Sequence, residues 1–203
     1  MPKISEIFWS AQGEGMHSGR PAIFIRLSGC ALRCPYCDTR DAWGGGLDMS
    51  PREIAAAVAG LQAAAPRSRV VITGGEPLEQ DLKALVAALK RRDGYVAVET
   101  NGLHFQELPI DWWTVSPKDV SSYRVHPRLW DQAGEFKLLV TPALDLAVLK
   151  RIRGRTAAPI VLQPERHDRG RYRRAFAFFK ACSRAGLADV RLGLQLHTVY
   201  RIP

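Results

Sequence analysis

A chain of 203 residues with 46% hydrophobic and 24% charged content is long enough to enclose one core and too apolar for a disordered segment. No run of about 18 apolar residues occurs, and the first residues lack the apolar stretch of a signal peptide; no membrane span is expected, and the cytoplasm is the expected compartment. A formal charge of +9 attracts anions, but the densest basic run, Arg166 to Arg174, interleaves Asp168, Gly170 and Tyr172 without an aromatic ladder. A solvated face or the rim of an anionic-ligand site is expected there, not a nucleic-acid surface.

Residues 4–8 read as a first strand, followed by Ser10-Ala11-Gln12-Gly13-Glu14-Gly15-Met16, where glycines around Glu14 allow an irregular loop with polar side chains projecting. Residues 21–28 read as a buried strand in which Arg26 interrupts an apolar run. A guanidinium there needs an anion, either a ligand carboxylate or an internal salt bridge. The next stretch, Cys30-Ala31-Leu32-Arg33-Cys34-Pro35-Tyr36-Cys37, holds three of the four cysteines. Three soft sulfur donors on one loop can wrap a metal or an iron–sulfur cluster. A structural zinc site normally closes with four protein ligands, so the missing fourth points to a cluster with an open corner. Cys182, among Phe176, Phe178 and Phe179, is expected as a buried, unreactive thiol.

Beyond the cysteines, Ser50-Pro51-Arg52-Glu53 starts a helix with a capping box, running to about residue 65 and ended by Pro66. Residues 69–73 fit a central parallel strand that leads into Gly74-Gly75-Glu76-Pro77, where paired glycines permit a ligand to approach bare backbone. A helix is expected over 81–92 and strands over 95–100 and 110–116, each ending in polar residues: Glu99, Thr100 and Asn101, then Ser116 and Lys118. A strand over 135–140, a helix over 142–152, a strand over 159–163 ending at Gln163, a helix over 172–185 and a last strand over 190–197 complete the pattern. Strand alternating with helix, with polar residues at strand C-termini, argues a parallel α/β sheet that places ligands at those ends. Too few units are present for eight, and no G-x-G-x-x-G occurs, so an incomplete, laterally open (β/α) barrel over 1–203, without a linker, is the expected architecture.

The three-cysteine loop and the Gly-Gly-Glu turn together resemble the radical S-adenosylmethionine (SAM) enzymes. The resemblance narrows when other segments are added: Ile7-Phe8-Trp9-Ser10-Ala11-Gln12-Gly13-Glu14-Gly15, Gly19-Arg20-Pro21-Ala22-Ile23-Phe24-Ile25-Arg26, Cys34-Pro35-Tyr36-Cys37-Asp38-Thr39, Glu99-Thr100-Asn101-Gly102, Ser116-Pro117-Lys118, and Gln195-Leu196-His197 through Ile202-Pro203. In this order they resemble the 7-carboxy-7-deazaguanine synthase family from end to end. That family converts 6-carboxy-5,6,7,8-tetrahydropterin to 7-carboxy-7-deazaguanine with loss of ammonia, on the path to queuosine and other 7-deazapurines.

The resemblance implies the following roles. Cys30, Cys34 and Cys37 would bind a 4Fe-4S cluster. Gly75, Ser116, Pro117, Lys118 and the turn Gln163-Pro164-Glu165-Arg166 would hold S-adenosylmethionine, with Glu76 supporting the glycine loop. Ala11, Gln12, Gly13, Glu14, Arg26 and Thr73 would line the pterin, joined by the terminal carboxylate of Pro203 and by His197, a residue equally suited to a hydrogen bond within the last strand. Thr39 would offer its hydroxyl to Mg2+, a hard cation that keeps substrate or water oxygens in its shell. The reduced cluster would cleave S-adenosylmethionine to a radical that abstracts hydrogen from C6 of the pterin. The family also implies a reducing partner such as flavodoxin and a homodimer. Two other readings compete: an activating enzyme that makes a glycyl radical on a protein partner, and a non-catalytic zinc or RNA-binding module.

Overall fold

Side chains alternate along the strands of this chain so that each strand has one apolar and one partly polar face. The structure, a computed structural model, describes residues 1–91, 94–165 and 168–203. Its strands are β1 (Lys3–Ala11), β2 (Pro21–Leu27), β3 (Leu47–Asp48), β4 (Arg69–Gly74), β5 (Val96–Thr100), β6 (Trp112–Val115), β7 (Ala133–Leu139), β8 (Ile160–Gln163) and β9 (Val190–Leu192). Among the described residues they form one sheet in the order β3-β1-β2-β4-β5-β6-β7-β8-β9, parallel from β2 onward and not closed on itself. The helices are α1 (Pro51–Ala64), α2 (Lys83–Lys90), α3 (Leu129–Gln132), α4 (Leu146–Arg153), α5 (Arg169–Arg184) and α6 (Leu196–Tyr200).

One face of the sheet, with Ile23, Ile25, Leu27, Val70, Ile72, Val96, Val98, Phe136, Leu138, Ile160 and Leu162, packs against helix residues such as Ile54, Leu85, Val86, Leu149 and Ile152 in one buried cluster. Each such side chain contributes about 1.5–3 kcal/mol when fully buried, so this outer layer fixes the fold. Cys182 belongs to it, fully buried, and burial pushes its thiol pKa up. The other face is divided. Its lower part is apolar, with Ala22, Phe24, Val71 and Ala97 packed on Phe8, Tyr95 and Trp112. Above it lie Arg26, Thr73, Glu99, Thr114 and Lys137; register sets Arg26 beside Thr73, and Glu99 beside Thr114, which neighbours Glu135.

The elements depart from the sequence expectations at identifiable places. β1 is antiparallel to β2, because the chain returns through a short turn (Gln12 N–H to Arg20 O, 2.8 Å; Gly19 N–H to Gln12 O, 2.8 Å) and a parallel return needs a crossover of a dozen or more residues. The expected capping box is present, with Ser50 and Glu53 bonding each other's backbone N–H, so α1 starts where its sequence indicates. α4 starts at Leu146 instead of 142 because Asp145 caps it, accepting Val148 N–H at 2.8 Å. α5 starts earlier than 172 for the same reason: Asp168 accepts Arg171 N–H at 3.0 Å.

The last strand is the largest correction, since β9 ends at Leu192 rather than at 197. Gly193 still donates to Leu162 O at 2.8 Å, but a Cβ there would lie 2.5 Å from Gln163 Oε1. The chain then turns into α6 through Val199 N–H to Gln195 O at 3.2 Å, which moves His197 off the sheet and into a helix. From the β9 edge this segment reaches back to the β1–β2 turn: Leu196 N–H donates to Gly13 O at 2.9 Å, and the Ser10 hydroxyl donates to Pro203 O at 2.7 Å.

Candidate functional site

The exit of β2 carries the cysteine loop, and the exit of β4 carries the glycine turn, with the two locked together by backbone. Gly75 N–H donates to Leu27 O at 2.9 Å, and Glu76 N–H to Gly29 O at 2.7 Å. Glycine is required at both positions before Glu76. Gly74 has φ +146° and a Cβ on it would lie 2.2 Å from Leu27 O; a Cβ on Gly75 would lie 2.0 Å from Gly29 O. Cys30, Cys34 and Cys37 are unpaired thiols that line a cavity of about 590 Å3. Cys37 N–H donates to Cys34 O at 3.0 Å, and Arg33 adopts φ +43°, which curls the loop. Burial raises the pKa of Cys30 and Cys34, with Lys118 and Tyr36 opposing the shift at Cys34. Metal binding requires the deprotonated sulfur, and three thiols converging on one cavity beside a bare glycine backbone suit an iron–sulfur cluster with an adjoining organic ligand.

Glu76 holds this junction from beneath. Its carboxylate, 1% exposed, accepts Leu78 N–H (3.0 Å), the Thr100 hydroxyl (2.7 Å) and Asn101 N–H (2.7 Å), tying the glycine turn to the end of β5. Burial pushes its pKa up to about 7 against the pull of those donors. A carboxyl raised in the folded state holds its proton longer than the unfolded chain does, so its contribution to stability falls as pH rises from about 4.5 to 7. Glu76→Gln sets an amide NH2 against one of the donors, and is expected to cost about 1–3 kcal/mol. Urea unfolding of the cluster-loaded protein at pH 5 and pH 8 should show a wild-type advantage that is larger at pH 5.

A charged network occupies the upper inward face. Lys137 Nζ lies 2.6 Å from Glu14 Oε2 and 2.8 Å from Glu99 Oε2. Gln12 donates to Glu99 Oε1 at 2.7 Å, and Gln195 to Glu14 Oε1 at 2.7 Å. Burial opposes charge on each partner, but attraction outweighs it: the Lys137 pKa is raised and the Glu14 pKa lowered, so both are ionised at neutral pH. Burial lowers the pKa of Lys118, whose ammonium donates to Ser116 Oγ at 2.7 Å. Arg26, the interrupting guanidinium of β2, has its anion in Glu6 at 2.5 Å, and its Nη1 lies 3.5 Å from Thr39 Oγ1. Thr39 donates to Asp38 Oδ1 at 2.9 Å. Ligand atoms of Asp38, Glu14 and His197 lie within 4.8 Å of one another, so hard oxygen donors gather beside Thr39.

The same cavity gathers nearly all the residues that the sequence singles out. Ala11, Gln12, Gly13, Glu14, Arg26, Thr39, Thr73, Gly75, Glu76, Ser116, Lys118, Gln163, Glu165, His197 and Pro203 line it with the three cysteines. Pro117 and Pro164 lie between lining residues without lining the cavity themselves, and Arg166 falls outside the described residues. Lys137, which lines the cavity, and Glu135 beneath it are not among the residues that the sequence singles out, although both stand at alternate positions of Glu135-Phe136-Lys137-Leu138. A charge at every second place in a strand whose other face is apolar is the signal for an inward polar face. The sequence puts Glu99 at a strand end, and its part in the network follows from tertiary pairing.

A sequence profile of the radical SAM superfamily matches residues 24–194. A 7-carboxy-7-deazaguanine synthase from Pyrobaculum aerophilum is 38% identical over 191 residues, covering 81% of this chain and 82% of that relative. One from Synechocystis is 34% identical over 197 residues, covering 96% and 90%. The crystal structure of QueE from Escherichia coli superposes with a TM-score of 0.78 at 31% identity, covering 97% of this chain and 94% of that one. These likenesses favour neither a glycyl-radical activating enzyme nor a zinc or RNA-binding module. The chain belongs to the radical SAM superfamily and, within it, to the 7-carboxy-7-deazaguanine synthase family.

Proposed function

We propose that this chain converts 6-carboxy-5,6,7,8-tetrahydropterin to 7-carboxy-7-deazaguanine with loss of ammonia. The observation that carries the reading is the union, in one cavity, of the three-cysteine loop with the Gln12, Glu14, Glu99 and Lys137 network. A pterin presents an amino-pyrimidinone edge rich in N–H donors, which ionised carboxylates accept. Its own carboxylate needs a cation, and the Arg26–Thr39 corner supplies a guanidinium together with oxygen donors for Mg2+. Cys30, Cys34 and Cys37 would hold the 4Fe-4S cluster; Gly75, the 116–118 segment and residues 163–165 would hold S-adenosylmethionine; Thr39 would ligate Mg2+. Ala11 to Glu14, Arg26, Thr73, His197 and Pro203 contact the pterin.

Bound there, the reduced cluster and S-adenosylmethionine supply hydrogen abstraction from a carbon centre, the hard part of a ring contraction. The chain's residues supply placement. The Lys137 network fixes the carboxylates before substrate arrives, Arg26 and Thr39 set the carboxylate end, and the 195–203 segment, tied to the turn after β1, adds His197 and Pro203 to the cavity wall. The reading extends to one domain over 1–203, a flavodoxin-type reductant, a homodimer, no nucleic-acid partner and a cytoplasmic enzyme. Among the described residues no helix is long and apolar enough to cross a membrane.

Expression in a bacterium whose own 7-carboxy-7-deazaguanine synthase gene is deleted tests the proposal. Restoration of 7-deazaguanine nucleosides in tRNA by this chain, and not by its Cys34→Ala variant, is expected. Absence of these nucleosides despite soluble, cluster-loaded protein would count against it.

A further inference from the structure

Glu135 stands two residues before Lys137 on the same face of β7, below the cavity, and is 2% exposed. Its Oε2 accepts Met16 N–H at 2.7 Å; its Oε1 accepts the Thr114 hydroxyl at 2.7 Å and faces Trp112 Nε1 at 3.4 Å. Among the described residues no cation pairs with it, since Lys137 Nζ is engaged by Glu14 and Glu99. A buried carboxylate of this kind is costly, and its three donors, drawn from β6 and from the turn after β1, offset the cost.

The turn fits onto this carboxylate as onto a seat. Gly15 has φ +71°, and a Cβ there would lie 2.4 Å from Glu135 Oε1 and 2.7 Å from Oε2. His17, next along, packs on Trp112 with ring centroids 4.4 Å apart and meets Tyr95 edge-on at 5.8 Å. The Gly15–Met16 peptide is therefore anchored to the floor of the sheet immediately after Gln12 and Glu14, whose side chains reach the network above it.

We propose that Glu135 is the positioning residue for the pterin: by holding Met16 N–H and receiving Gly15, it sets the height at which Gln12 and Glu14 meet the substrate. It touches neither cofactor nor substrate and acts only through the turn. The inference rests on the proposed contact between that turn and the pterin.

The test measures binding of 6-carboxytetrahydropterin and of S-adenosylmethionine to the cluster-loaded protein without reductant, so that no turnover intervenes. Glu135→Ala leaves Met16 N–H without its acceptor, and is expected to weaken pterin binding about tenfold or more while S-adenosylmethionine affinity stays within about twofold. Glu135→Gln keeps a carbonyl oxygen for Met16 and an amide that can donate to the Thr114 hydroxyl, leaving only the more distant Trp112 N–H at 3.4 Å without its acceptor, so it is expected to recover most of the pterin affinity that Glu135→Ala loses. If Glu135→Ala does not fold, Gly15→Ala breaks the same seat from the other side and is expected to repeat the selective loss. Unchanged pterin binding, or equal loss of both ligands, overturns the proposal. Glu14→Gln separates the two possible failures. Weakened pterin binding there with none in the Glu135 or Gly15 variant removes this inference alone, and no effect in either removes the site assignment beneath it.

Discussion

Lys137→Met is expected to destabilise the protein by about 3–5 kcal/mol, because it strands two carboxylates in a buried site. The Lys137, Glu14 and Glu99 side chains are only 9%, 14% and 19% exposed, so water does not readily replace the lost ammonium. The effect has a pH signature. A lysine whose folded pKa is raised stabilises fully below its unfolded pKa near 10.4, and loses that contribution only as pH rises through the folded value. Glu14, whose folded pKa is lowered, stabilises above its unfolded value near 4.3 and loses the contribution as pH falls through the folded one. The network therefore contributes across about pH 5 to 10. In the variant, acid relieves the stranded carboxylates, so the gap in unfolding midpoint between wild type and Lys137→Met should be widest near pH 7 and narrow towards pH 4. Pterin turnover should fall even in the folded fraction, since Glu14 and Glu99 lose the cation that spaces them. Equal midpoints at pH 7 would show that the three groups are not coupled.

Gly75→Ala is expected to have the second large effect. The added methyl would sit 2.0 Å from Gly29 O and 2.9 Å from Ala42 O, both backbone atoms that no rotamer change can move. The glycine turn must then separate from the segment leading to Cys30, at a cost of about 1–3 kcal/mol. A displacement near 1 Å between the cysteine loop and the turn is enough to reduce turnover by about a hundredfold. Iron content should remain, because the three cysteines are untouched, while S-adenosylmethionine affinity drops. A variant with normal affinity and turnover would show that the two loops need not be in register.

Most of the fold was legible because local signals agreed with it. The capping box of α1, the β-branched run of β4 and the alternation of strand and helix each announce an element that the structure contains. The departures arise where tertiary contacts decide. β1 folds back as a hairpin because its turn bonds internally, and β9 stops where Gly193 passes close to Gln163. The cysteine loop and glycine turn were equally visible, since their chemistry is written in consecutive residues. The charged network was not, because Glu14, Glu99 and Lys137 are separated by many residues and meet only when β5 and β7 share an inward face. Its trace in sequence is the alternation of Glu135 and Lys137 with Phe136 and Leu138, which a reading of β7 as an apolar strand passes over.

Anaerobic turnover tests the account most directly. The protein is loaded with iron and sulfide, given S-adenosylmethionine, dithionite, Mg2+ and 6-carboxytetrahydropterin, and its products are followed by mass spectrometry. Formation of 7-carboxy-7-deazaguanine without stoichiometric loss of S-adenosylmethionine is the expected result. Accumulation of 5′-deoxyadenosine beside intact pterin would contradict it, leaving the radical chemistry in place and removing the substrate from this cavity.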